Sequence, residues 1–186
     1  MSKKKSSSHI FDPKNVAALE SKQRKEQQDP EKIIKLLGLK SSDIVADLGC
    51  GTGYFSVPIS NKVNKVYSID IQQEMLDYLL QKIQNQQIPN IEVLLSKDVN
   101  RIPLPNESVT VLLTVNTLHE FQDKQQMIKE IWRILKPNGK AAIIDFKKVN
   151  TGSGPPVSVR ISQEHAIQLF QNIGLNNVAI HDLKSH

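Results

Sequence analysis

Ile44-Val45-Ala46-Asp47-Leu48-Gly49-Cys50-Gly51-Thr52-Gly53 is the stretch that decides the fold. A short apolar run leads straight into three glycines at alternate positions, which reads as a strand at Ile44–Leu48 stopped by a sharp turn. With no Cβ in the way, such a turn can bend tightly and let a ligand approach within contact distance. Two phosphate-binding patterns are excluded. In a G-x-G-x-x-G fingerprint the last glycine would fall on Tyr54, and no Gly-Lys-Ser/Thr follows for a P-loop. Asp47, two residues before Gly49, puts a negative charge where phosphate would be repelled. The turn therefore suits a ligand that is positively charged and carries no phosphate.

Outward from this turn, strands alternate with helices. Lys65–Asp70 reads as a second strand, Ile91–Ser96 as a third, Val109–Val115 as a fourth, Ala141–Phe146 as a fifth and Val178–Leu183 as a sixth. Gln72–Gln86 is a predicted helix with Met75, Leu76, Leu79, Leu80 and Ile83 on one face. Asp123–Lys136 is another, opened by a capping pair (Asp123 and Gln126), with Met127, Ile128, Ile131, Trp132 and Leu135 as its buried stripe. Pro137-Asn138-Gly139 then turns the chain. Gly152–Pro156 reads as a loop, and Gln163–Asn172 as a helix capped by Ser162. Upstream, Asp29-Pro30 opens a helix that Gly38 closes. The expected fold class is α/β: a doubly wound, Rossmann-like, mostly parallel sheet of six strands with helices on both faces. In such sheets ligands bind beyond the carboxyl ends of the strands.

The 186 residues suit one domain, read as 29–186, after a basic leader at 1–28 whose Ile10–Gln28 part is partly helical. The first thirty residues hold seven bases and four acids, and so supply +3 of the net charge of +5. The remaining seventeen bases and fifteen acids nearly cancel. With aromatics at 5% and only Phe11 in the leader, a basic face with stacking side chains is not in evidence, and nucleic-acid binding is disfavoured. One cysteine excludes an internal disulfide framework and multi-cysteine metal sites, so no metal is expected. No apolar run is long enough for a membrane span, and the basic N-terminus lacks the apolar stretch of a secretory signal, so a cytoplasmic location is expected.

Acids recur at successive strand ends. Asp70 closes the second strand, where a carboxylate can accept from both hydroxyls of a ribose. Asp98 follows the third, where it can accept from an exocyclic adenine amine while Ile71 and Val99 flank the ring. An adenosine with a cationic, phosphate-free tail is S-adenosylmethionine.

The glycine turn, Asp70, Asp98 and the later Arg133-Ile-Leu-Lys-Pro-Asn-Gly-Lys140 together resemble the class I S-adenosylmethionine-dependent methyltransferases. The similarity is greatest to the small branch that includes the ubiquinone/menaquinone-biosynthesis C-methyltransferases, and it runs from about Phe11 to Leu183. It implies that the backbone at Gly49, Cys50 and Gly51 takes the methionyl part, with Asp47 organising the turn. It further implies that Asp70 binds ribose, that Asp98 with Ile71 and Val99 binds adenine, and that Asn116 lies by the sulfonium. The Cys50 thiol itself reads as a packing group rather than a nucleophile.

After the fourth strand, His119 or Glu120 can face the methyl acceptor, with His119 as general base. The alternative is that His119 packs at the sheet edge and Glu120 suits a helix start. Asp145 and Lys147 either rim the pocket or are solvated. Arg160 either holds an anionic substrate or lies in solvent. The resemblance implies methyl transfer to a small molecule through carbon, oxygen, nitrogen or a metalloid, with Phe11–Lys25 as a lid. Alternatives are an RNA or protein methyltransferase that docks through the leader, or a non-catalytic cofactor-binding partner subunit. The family's seventh strand is missing, so a homodimer or partner is expected at the C-terminal sheet edge.

Overall fold

The structure, a computed structural model, describes residues 11–152, 154–183 and 186. The lysine run Lys3–Lys5 of the leader lies outside them.

After a 3-10 turn at Pro13–Asn15 come the short helices α1 (Val16–Leu19) and α2 (Lys22–Gln27), then α3 (Pro30–Leu37). Asp29 caps α3 by accepting from the Glu31 N–H, and Gly38 ends it at φ 55°. The core then runs β1 (Ile44–Leu48), α4 (Ser56–Ser60), β2 (Lys65–Asp70), α5 (Gln73–Gln86), β3 (Ile91–Leu95) and β4 (Val109–Val115). It finishes with α6 (Lys124–Ile134), β5 (Leu135–Ile144) and α7 (Gln163–Gln171). Asp123 and Ser162 cap α6 and α7 as expected. Helix α4 escapes sequence reading because five residues around Pro58 are too few for a period to show.

All strand pairs are parallel, in the order β3-β2-β1-β4-β5. The order reverses between β1 and β4, which opens a crevice beyond their carboxyl ends. Period-two alternation sends neighbouring residues to opposite faces. Val45, Val66, Val111 and Leu113 meet Ile33 and Ile34 of α3 and Ile59 of α4 on one face. Leu76 and Leu79 of α5 join Cys50 and Val93 there. Ala46, Ile69 and Leu112 meet Met127, Ile128 and Ile131 of α6 and Leu169 of α7 on the other.

Among the described residues the sheet has five strands, not the expected six. Val178–Leu183 forms no strand, because its backbone finds no ladder partner, and Val178 and Ile180 are exposed. Among the described residues the outer edge of β5 is therefore unpaired. The expected Pro137-Asn138-Gly139 turn is absorbed into an irregular start of β5. The register there jumps from Val109↔Leu135 to Val111↔Lys140, with Asn138 at φ 64°, and α6 ends at Ile134 rather than Lys136. Leu80, expected on the apolar face of α5, and Trp132, expected in the buried stripe of α6, are exposed. Each follows a fully buried residue, and one step along a helix rotates a side chain by about 100°.

The β3–β4 connection, residues 96–108, contains no helix or strand, yet Ile102 and Leu104 are buried. Arg133 fastens it by donating to the carbonyls of Ile102 and Leu104, while Glu130 accepts from the Ile102 N–H. No helix among the described residues is long and apolar enough to cross a membrane, and none of their His, Cys, Asp and Glu side chains form a group that could hold a metal.

Candidate functional site

A cleft of about 630 Å³ opens at the switch point, above the carboxyl ends of β1, β2 and β4. Of the residues singled out from the sequence, Gly49, Cys50, Gly51, Asp70, Ile71, Asp98, Val99, Asn116 and His119 all line it. Gly49 and Gly51 have φ of 74° and 54°, which only glycine adopts freely. They differ in what they face. A Cβ on Gly49 would sit 2.3 Å from the Thr117 hydroxyl, whereas one on Gly51 would meet only Leu19, at 3.5 Å. Close packing explains the first glycine, and open space toward the cleft is kept at the second.

Asp47 lies beneath this surface rather than on it. It is 2% exposed and accepts from the Ser56 hydroxyl at 2.6 Å, and Ser56 in turn accepts from Ser68 at 2.7 Å. Burial pushes its carboxyl up to about 6, partly countered by the Ser56 hydrogen bond and the Arg24 charge. Asp70 reaches the cleft wall. One of its oxygens accepts from the Gly51 N–H at 2.9 Å and the other from the Gln72 N–H at 3.0 Å. A carboxylate has about four lone-pair positions, so each oxygen keeps capacity for a further donor. Burial raises its pKa from the ordinary value, against those backbone bonds. Asp98 is exposed at the rim and accepts from the Asn100 N–H. Cys50 packs with Leu76 and Leu79, and burial pushes its thiol well up, so it is no nucleophile.

The stretch expected as a lid, Phe11–Lys25, contributes Phe11, Leu19 and Arg24 to the cleft lining, but sequence reading missed the contacts that fasten it. Residues 11–28 cross the cleft, and Phe11, Leu19, Arg24 and Gln28 line it. Gln28, 1% exposed, exchanges two hydrogen bonds with Asn116, at 3.1 and 3.2 Å. Arg24 lies 4.3 Å above the Tyr54 ring and donates to Gln28. Glu20 accepts from Thr52 at 2.5 Å and from Lys82 at 2.6 Å. Apart from Arg24–Gln28, these partners are 30 to 88 positions apart, and no local pattern announces them.

On the far wall stand His119, Glu120, Phe121, Met127, Phe146, Pro155 and His186. His119 sits in a 3-10 turn after β4 (Leu118–Glu120), and Asp145 follows β5 directly. Adjacent strands thus bring together residues 26 apart: His119 Nδ1 is 2.7 Å from one Asp145 oxygen. Asp145 is therefore neither rim nor solvated. Arg160 also differs from both expectations. At 4% exposed, it donates to the carbonyls of Lys147, Val149 and Pro155 and to the Thr151 hydroxyl, so it clamps the loop after β5. Lys147 is on the surface with Asp182.

Comparison with known proteins agrees with this geometry. The family described as "Methyltransferase domain" matches residues 46–143. A SAM dependent methyltransferase from Aquifex aeolicus superposes with a TM-score of 0.82 at 36% identity, covering 89% of each chain. The demethylmenaquinone methyltransferase of Lactobacillus johnsonii is 30% identical over 145 residues, 76% of this chain and 57% of that protein. The 2-phytyl-1,4-naphtoquinone methyltransferase of Trichormus variabilis is 29% identical, over 64% of this chain and 54% of its own. The chain thus spans little more than half the length of these two relatives. It is a methyltransferase-domain protein, and it belongs to the class I S-adenosylmethionine-dependent methyltransferase family.

Proposed function

We propose that the protein transfers a methyl group from S-adenosylmethionine to a small-molecule acceptor. The observation that carries this is the acid-lined, glycine-floored cleft at the switch point, in which Asp70 retains acceptor capacity for two hydroxyls. The residues fit the donor. Gly49, Cys50 and Gly51 would take the methionyl part over the buried Asp47, Asp70 the ribose, Asp98 with Ile71 and Val99 the adenine, and Asn116 the neighbourhood of the sulfonium. When bound, the donor supplies a methyl group already attached to a good leaving group.

The protein's task is then alignment and exclusion of water. Residues 11–28 act as the lid, tied down by Gln28–Asn116 and Glu20–Lys82. Phe121, Phe146, Met127 and Pro155 offer an apolar wall suited to a flat acceptor, and the quinone methyltransferase relatives favour a quinone-type ring. The outer edge of β5, unpaired among the described residues, is where a homodimer or partner strand would add.

Calorimetry with S-adenosylmethionine and its demethylated product, followed by a transfer screen on quinols, phenols, amines and arsenite, tests the reading. Micromolar binding with turnover on a small acceptor is expected. Absence of binding would refute it, and turnover only on RNA or protein would favour the leader-docking alternative.

A further inference from the structure

We infer that Glu120 is the residue by which the site tells the positively charged donor from its neutral demethylated product, and that it acts through the roof that residues 11–28 form, by holding Phe11 across the cleft. This rests on the methyl-transfer reading above. Phe11 is gripped from two sides. Its carbonyl accepts from Gln72 Nε2 at 3.0 Å, and its N–H donates to the Glu120 carboxylate. Gln72 follows Asp70 at the exit of β2, and Glu120 ends the 3-10 turn after β4. All three residues of this clasp line the cleft. Asn116, tied to Gln28, fastens the later end of the roof at the position assigned to the sulfonium.

Glu120 is the chargeable half of the clasp. Burial lifts its carboxyl to about 7. His119, whose Nε2 is 4.0 Å away, pulls it back, the Asp70 and Asp145 carboxylates push it up, and the Phe11 N–H lowers it. Lys124 of α6 is engaged with the carbonyls of His119 and Phe121. On the roof, Asp12 accepts from the Lys14 N–H, and Arg24 donates to Leu19 and Gln28. Asp98 and Arg101 of the lining are exposed, and burial keeps His186 neutral near pH 7. An opposite charge brought within about 4–6 Å lowers a carboxyl by about 1–3 pH units. With a cation in the cleft, Glu120 gives its proton to solvent, and the carboxylate grips the Phe11 N–H more strongly than the neutral acid does. Once the methyl group has gone to the acceptor, the carbon–sulfur electron pair stays on sulfur and the thioether is neutral. Glu120 then takes a proton back, the clasp slackens, and the product is released. A carboxyl that only tied down the roof would do so alike for both compounds.

The test is calorimetry of the full chain with S-adenosylmethionine and S-adenosylhomocysteine near pH 6.5, in buffers of different ionisation enthalpy, which reads the protons released on binding. For a carboxyl lowered by one pH unit from about 7, the parent should release about half a proton more with S-adenosylmethionine. The affinity ratio should move several-fold toward S-adenosylmethionine between about pH 5.5 and 8, since the free protein holds a proton that the donor complex has lost. Glu120→Gln should lose this extra release. Asp47, which titrates nearby, is present in both proteins, so the loss belongs to Glu120. Protease should cut within residues 11–28 more slowly with S-adenosylmethionine than with S-adenosylhomocysteine in the parent, and equally in Glu120→Gln. Gln72→Ala, which cuts the other half of the clasp, should keep the extra proton release but speed cleavage with both compounds, and unchanged cleavage would overturn the role of Phe11. Equal proton release in the parent, or a difference that survives intact in Glu120→Gln, would overturn the inference and leave the donor site standing. Failure of the parent to bind either compound would remove the underlying reading as well.

Discussion

Asp47→Asn keeps the shape of a side chain that is 2% exposed and removes its ability to ionise. In the folded chain this carboxyl titrates at about 6, against 3.8 in the absence of the fold. Between those values the folded state binds more protons than the unfolded one, so the group's contribution to stability falls as pH rises through the window and is lowest above it. At 1.36 kcal/mol per pH unit the full penalty is roughly 3 kcal/mol, of which about 2 falls between about pH 4.5 and 7.5. Glu120, raised to about 7, acts in the same direction, while His186, lowered to about 4 by burial, acts in the opposite one. Both are common to parent and variant and cancel in the difference. Any change in the Ser56 hydrogen bond on replacing an oxygen by an amide is a constant offset. Urea unfolding of the two proteins across this range is the assay. The stability of Asp47→Asn relative to the parent should grow by about 2 kcal/mol from the acid to the neutral end. A difference that stays flat, or shrinks with rising pH, would refute the claim that burial of this charge costs the fold stability.

Other perturbations probe other parts. Asp70→Ala should weaken S-adenosylmethionine binding by roughly 1.5–3 kcal/mol in calorimetry, the worth of a hydrogen bond to a charged group. Gly49→Ala should lower stability by more than about 1 kcal/mol, because φ is positive and the new Cβ would meet Thr117, and adding Thr117→Ala should restore part of the loss in a double-mutant cycle. Arg160→Met should cost roughly 2–4 kcal/mol and speed amide exchange in the loop after β5, since the Lys147, Val149 and Pro155 carbonyls each lose a charged donor, the Lys147 carbonyl keeping the Val149 N–H. Gln28→Ala should loosen the roof, so that protease cuts faster within residues 11–28 while the sheet keeps its melting temperature.

The sequence alone determined the first four strands, the turn and the places of Asp70 and Asp98, because these depend on local signals. Apolar runs of strand length, a 3.6-residue stripe and residues with special backbone freedom can be read one segment at a time. That is how β1 to β4 and the caps of α3, α6 and α7 were legible, and why Asp70 and Asp98 could be placed at strand ends. Only the tertiary structure decided what those residues face. Asp47 proved to be buried under the turn, Gly49 to make room for Thr117, Arg160 to hold a loop, and Asp145 to grip His119 from the neighbouring strand. It also withheld the sixth strand, since an alternating segment becomes a strand only when another edge supplies its hydrogen bonds. Such pairings join residues tens of positions apart. Their energy depends on distance and burial, and neither is written in the order of the chain.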